Sequence, residues 1–150
     1  MPPEQVDMVV RSKRMWIYRN LAEWRDLKAT AVVREWVNGE TFLYLGSAYR
    51  LSLISGQVET LKLKDGRFCL NREIIDTGRT EAAKKTFENF YIEKGTDRLN
   101  ERIARYSPKI GVKPTNSVVK ELGYRWASCS SSNALSIHWK CMMAPVKIID

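Results

Sequence analysis

The sequence predicts an α+β protein. Three observations carry this: a helical apolar period at the start, a switch to period two near Val32, and a return to helical spacing from Thr80. The chain has 150 residues with 44% hydrophobic and 28% charged content, enough for a sizeable core and ordinary for a globular protein. The expectation is one domain over 1–150. Residues 5–28 predict an amphipathic helix, with Val6, Val10, Ile17, Leu21 and Trp24 near the 3.6-residue period and Pro3 just ahead, where a helix start tolerates it. Trp16 and Trp24 are expected in its core.

Strand character follows over Arg34–Val37, Thr41–Leu45, Tyr49–Ile54, Thr60–Lys64 and Arg67–Arg72, all rich in β-branched and aromatic residues. Asn38-Gly39, Gly46-Ser47 and Asp65-Gly66 supply turns. Asp65-Gly66 is the strongest of these, because a type I′ turn needs positive φ at both central positions. These strands predict an antiparallel meander of about five. Thr80 to about Tyr106 is helical again, with Ala83, Phe87, Phe90/Tyr91, Leu99, Ile103 and Tyr106 as its buried stripe. Gly95-Thr96 divides it into a helical hairpin, and Pro108 and Gly111 end it. Ser117–Leu122 and Ala134–Trp139 predict strands around the Ser-rich loop Ser128–Ser132. Pro145 then opens a final helix with an apolar first turn.

The formal charge of +8 invites a nucleic-acid reading, from 25 Lys+Arg against 17 Asp+Glu. Its distribution is thin. Basic and acidic residues number 6 and 4 over 1–30, 6 and 6 over 31–76, 8 and 5 over 77–110, and 5 and 2 over 111–150. Arg11, Lys13 and Arg14 beside Trp16 form the densest cluster and are the candidate nucleic-acid contacts. No apolar run approaches the ~20 residues of a membrane span, and Met1-Pro2-Pro3-Glu4-Gln5 has no signal-peptide character. A reducing, cytoplasmic setting is expected for the three cysteines.

One histidine, His138, excludes a self-contained HExxH motif within these residues. A Cys₃His set of Cys69, Cys129, His138 and Cys141 lacks any Cys-x₂-Cys pair, so each cysteine is expected to be a small buried apolar residue. A nucleophilic Cys129–His138 pair has no evident orienting acid.

The last forty residues carry a more specific signal. Leu122-Gly123-Tyr124-Arg125-Trp126-Ala127-Ser128-Cys129-Ser130, then Asn133-Ala134-Leu135-Ser136-Ile137-His138-Trp139, then Met143-Ala144-Pro145 and Ile148-Ile149-Asp150, resemble the YgjP-like family of zinc-dependent hydrolases, small gluzincins related to SprT-like metallopeptidases. Ala127 stands where the family pattern has Gly. Phe42-Leu43-Tyr44-Leu45-Gly46 with Tyr49-Arg50-Leu51, and Leu61-Lys62-Leu63-Lys64-Asp65-Gly66-Arg67-Phe68, resemble its first two hairpins.

The resemblance implies that the Ile-Asp pair leads into a helix bearing HExxH, where two histidines four apart bind zinc and the glutamate polarises water. Those residues are not in this sequence. Zinc is therefore expected in a longer parent and not in this chain, which would hold the scaffold and substrate side of a metallopeptidase, inactive by itself. Ser128, Cys129, Ser130 and His138 are the candidate substrate-binding residues; a turn at Ser128–Ser132, with Arg125 and Trp126 packing sheet against helix, is the alternative reading of that stretch. A peptide or protein is the expected substrate of the parent, added to a sheet edge. Two other readings stand: a basic module for nucleic acid or a partner protein, and a metal-dependent nucleotide or phosphoester hydrolase. Met142, Met143, Ile148 and Ile149 are expected to be exposed and to favour self-association.

Overall fold

In a computed structural model, residues 3–29, 34–76 and 80–149 are described, without the side chains of 22–29. The chain divides into two compact units, Met1–Glu35 and Trp36–Asp150. The first contains α1 (Pro3–Ser12) and α2 (Arg14–Ala29). The predicted single helix is divided at Lys13, although the main-chain ladder runs across it. Lys13 N–H donates to Val9 O at 3.1 Å and Ile17 N–H to Lys13 O at 2.9 Å, with the Ser12 hydroxyl donating to the same Val9 carbonyl at 2.8 Å. Trp16 is exposed rather than buried, and the Trp24 side chain lies outside the described residues.

The second unit holds β1 (Thr41–Tyr44), β2 (Ser47–Ile54), β3 (Leu61–Lys64), β4 (Arg67–Asn71), α3 (Glu73–Asp76), α4 (Thr80–Ile110), β5 (Asn116–Lys120), β6 (Ala127–Cys129), β7 (Ala134–His138), a 3₁₀ helix (Trp139–Met143) and α5 (Val146–Ile149). The α+β class holds. Arg34–Val37 is not a strand: Trp36 takes φ 57°, which ends any extended run, and its amide donates to the Glu40 carboxylate at 2.7 Å.

The first four strands do not form a meander. Their order is β1-β2-β4-β3, with β2 and β4 parallel. The segment 55–60 crosses over so that β3 becomes the outer edge, and the Asp65-Gly66 turn (φ 50° and 71°) folds β4 back beside β2. Gln57 pins the crossover by donating from its side chain to the Cys69 carbonyl at 3.0 Å. This order places Leu51, Phe68 and Leu70, all buried, on central strands. The β1–β2 turn falls at Leu45-Gly46, one residue earlier than predicted (φ 50° and 80°). Tertiary hydrogen bonds select it: Leu45 N–H donates to Met142 O at 2.7 Å and Gly46 N–H to Met143 O at 3.3 Å.

The predicted helical hairpin is one continuous helix, α4, of 31 residues. Gly95 does not break it. A Cβ there would lie 2.7 Å from Met142 Cγ, so the glycine serves close approach of the 3₁₀ helix to α4. Pro108 sits inside the last turn; Gly111, at φ 77° with its amide donating to Ser107 O at 2.9 Å, ends the helix. The core stacks Phe42 on Phe87 at 4.3 Å between centroids, with Phe68, fully buried, 5.1 Å from Phe87. Tyr91 crosses toward the second sheet: its hydroxyl donates to Leu43 O at 2.8 Å and its ring stacks on Trp139 at 5.7 Å.

Candidate functional site

The second sheet has the order β5-β7-β6, with β5 and β7 parallel and β6 antiparallel to β7. The strand Ala134–His138 is therefore its centre, not an edge. The outer edge of β5 is engaged by α4, since Val119 N–H donates to the Thr96 hydroxyl at 3.4 Å and Ser117 Oγ to Asn100 Oδ1 at 2.7 Å. Beside β6 no further strand pairs among the described residues.

The hydrogen-bond phase fixes what β6 presents there. His138 N–H donates to Trp126 O at 2.8 Å and Ser130 N–H to Ala134 O at 3.0 Å. Because antiparallel pairs alternate, Ser128 faces Ser136 as the bonded pair between them, and the main-chain groups of Ala127 and Cys129 point to the open side. Ala127 and Cys129 are both exposed. Cys129 is thus no buried apolar residue.

Behind this edge lies a polar clamp. Nδ1 of His138 accepts from the Lys140 amide at 3.0 Å, which leaves Nε2 to donate to Glu121 Oε1 at 2.9 Å. The Trp139 indole donates to Glu121 Oε2 at 2.7 Å and the Gly123 amide to Oε1 at 2.8 Å. Desolvation alone would raise the Glu121 carboxyl. The hydrogen bonds from Trp139 and Gly123, and then His138, outweigh it and hold the group below its ordinary 4.5. The clamp joins the end of β5 to the junction of β7 with the 3₁₀ helix, and so sets where the chain enters α5.

The predicted substrate-binding residues are divided by this arrangement. His138 is 3% exposed with both ring nitrogens engaged internally, so it faces the clamp and not an open cleft. Ser130 shapes the turn: its hydroxyl accepts from the Ala134 amide at 3.0 Å and lies 2.8 Å from that of Ser132. Ser128 and Cys129 lie on the edge strand. By register Cys129 is opposite Leu135, three residues or about 10 Å along the strand from His138, so the two form no nucleophile–base pair. Cys141 donates to Trp126 O at 3.5 Å, and burial raises its thiol above the ordinary range, against a smaller lowering by a backbone hydrogen bond at His138. Trp126 is 66% exposed and does not pack sheet against helix.

The C-terminal apolar residues also differ from expectation. Met142 is fully buried against Gly95, and Met143 and Ile149 are half-buried; Ile148 alone of the four is exposed. In the first unit, Arg11 pairs with Asp7 at 2.9 Å and Arg14 lies over the Tyr18 ring at 5.6 Å. Lys13 sits at the break between the two helices.

Glu121 escaped sequence reasoning, although a signal existed. It is the sole acidic residue of 111–149, just ahead of the strand that carries the sole histidine.

The family model described as YgjP-like, metallopeptidase domain, matches residues 1–150. The chain belongs to the YgjP-like family. No curated protein and no solved structure matches it. Zinc, which the family name suggests, finds no fitting donor set here. Among the described residues no three His, Cys, Asp or Glu side chains converge to hold a metal ion, and Cys69, Cys129 and Cys141 stand on β4, β6 and the 3₁₀ helix. The HExxH pair of histidines is absent from the sequence. No helix among the described residues is long and apolar enough to cross a membrane.

Proposed function

We propose that this YgjP-like chain forms the scaffold and substrate side of a zinc-dependent peptidase. The single observation that carries the reading is the open edge of β6, beside the clamp that fixes the entry to α5. An extended peptide pairs with the outward main-chain groups of Ala127 and Cys129, as in β-strand addition. Ser128, Cys129 and Ser130 border that peptide. His138 contributes from behind, by holding β7 and the 3₁₀ helix in register through Glu121. The zinc ligands belong, in this reading, to an HExxH helix of a longer parent, and the isolated 150 residues are inactive. The three free cysteines suit a reducing cytoplasm. Exposed Ile148, with Met143 and Ile149 beside it, is the self-association surface.

Two measurements test this. Metal analysis of the purified chain after dialysis against zinc is expected to find far less than one ion per chain; one tightly held zinc would overturn the reading. In the longer parent, Cys129→Pro removes an outward amide without touching the β6–β7 ladder, and is expected to lower kcat/KM for a peptide by about tenfold or more. Unchanged peptide turnover would sink the edge-strand assignment.

A further inference from the structure

Helix α4 carries a second feature, independent of the peptidase reading. Lys94, Arg98, Arg102, Arg105 and Lys109 follow one another at intervals of 4, 4, 3 and 4 residues. At 3.6 residues per turn they share an arc of about 80°, and they span ~22 Å of helix. Phe87 and Tyr91, both core residues, lie in that same arc. The buried stripe Ala83, Phe87, Tyr91, Gly95, Leu99 has a period of four, so it advances about 40° with each step. By Leu99 the helix has turned a different side to the protein, and the face that was core one or two turns earlier emerges as a row of cations.

Few carboxylates answer this row. Over the row itself, Lys94 to Lys109, the chain carries five cations and two acids, Asp97 and Glu101. Lys94 is held by Glu93 at 3.0 Å, and Arg98 reaches Glu101 at 3.5 Å. Beyond them the cations converge on one ring. Arg102 Cζ, Arg105 Cζ and Lys109 Nζ lie 5.3, 5.9 and 5.4 Å from the Tyr106 centroid, and Arg102 Nη2 donates to the Tyr106 hydroxyl at 3.4 Å. No ion pair among the described residues engages Arg105 or Lys109. At the other end, Lys62 and Lys64 of β3 line a groove of about 650 Å³ with Lys94, which Glu59 and Glu93 also line, Glu59 holding Lys62 at 3.6 Å.

We propose that the C-terminal half of α4 binds the phosphate backbone of a nucleic acid. A single anion would use one or two of these groups. A row of ~22 Å matches a polymer, since one strand of a duplex presents roughly six phosphates over that length at 3.4 Å each. The Tyr106 ring is covered by cations and takes no base, so the contacts are to phosphate and independent of sequence. This site is distinct from Arg11, Lys13 and Arg14, which belong to the first unit.

Fluorescence anisotropy with a labelled 20-nucleotide single strand and its duplex, from 25 to 200 mM NaCl, tests the proposal. Binding that weakens steeply with salt is expected. The double variant Arg105→Glu/Lys109→Glu should weaken binding at least tenfold at 50 mM and flatten the log–log salt slope by about 1.4 for the single strand or 1.8 for the duplex. Its circular dichroism and melting midpoint should match the parent chain, because both residues are exposed. Arg11→Glu/Arg14→Glu should leave binding unchanged. Absence of salt-dependent binding at 25 mM overturns the proposal. So does wild-type affinity in the α4 variant, or loss in the Arg11/Arg14 variant alone. Binding to phosphatidylserine vesicles or polyglutamate that depends on Arg105 and Lys109, with none to nucleic acid, would assign the row to a different partner.

Discussion

The two sheets of the second unit share a plan and differ in what fastens them. Each has a parallel pair, β2 with β4 and β5 with β7, extended by antiparallel neighbours. The four-stranded sheet is secured by aromatic burial, with Phe42, Phe68, Phe87 and Tyr91 in mutual contact. The three-stranded sheet fully buries one apolar side chain, Val119, beside the polar Ser136 and His138, and its strand ends are joined by the Glu121–His138–Trp139 clamp. Apolar burial is large and non-directional, whereas hydrogen bonds contribute less but fix geometry. The first sheet therefore supplies stability, and the second holds an edge and a helix entry in place.

The sharpest way to break this comparison is Phe68→Ala. It removes a fully buried ring at the centre of the aromatic cluster and should cost about 3–5 kcal/mol in urea unfolding. A loss under ~1 kcal/mol would show that the first sheet does not carry the stability. Gly95→Leu should come next, at about 1–3 kcal/mol, because the new side chain meets Met142 and Val119. Adding Met142→Ala should recover part of that loss; strict additivity of the two changes would contradict direct packing.

Glu121→Ala should cost about 1–2 kcal/mol at pH 7, since buried His138 loses its acceptor. The sign with pH follows from the lowered carboxyl. Its contribution is complete above the ordinary 4.5 and fades as pH falls through the folded-state value, so wild type and variant should converge in acid. Persistence of the full difference at pH 2 would mean the carboxylate charge is not what the clamp uses. The smallest change, about 0.5–1.5 kcal/mol, is expected for Tyr91→Phe, which leaves Leu43 O without its donor. An effect above ~3 kcal/mol there would make the bridge between the sheets, and not the aromatic cluster, the main support.

Much of the fold was legible because period and turn chemistry are local. The Asp65-Gly66 turn, the positions of β1 to β5 and of β7, and the Ala83, Phe87, Tyr91 and Leu99 stripe of α4 follow from neighbours in sequence; β6 did not, since it reads as the start of the Ser-rich loop. The errors lie where distant residues decide. Gly95 reads as a helix break until Met142 is placed against it, and Leu45 reads as strand until the carbonyls of Met142 and Met143 accept from the turn. The parallel pairing of β2 and β4 was hidden because strand order depends on which faces must be buried together. At the site, Ser128 and Cys129 were visible from the Ser-rich loop, but Glu121 became a partner of His138 only when β5 was laid beside β7.

The sequence by itself determined the α+β class, the family, the locations of most helices and strands but not of α3 or β6, and the excess of positive charge. Only the tertiary structure decided that β6 is the open edge, that His138 is locked behind it, and that of the five cations along one face of α4 Lys94, Arg105 and Lys109 are exposed while Arg98 and Arg102 are half-buried. The physical reason is that periodicity records which face of an element is apolar. What lies opposite each face, and which faces are left to solvent, is settled by packing between residues far apart in the chain.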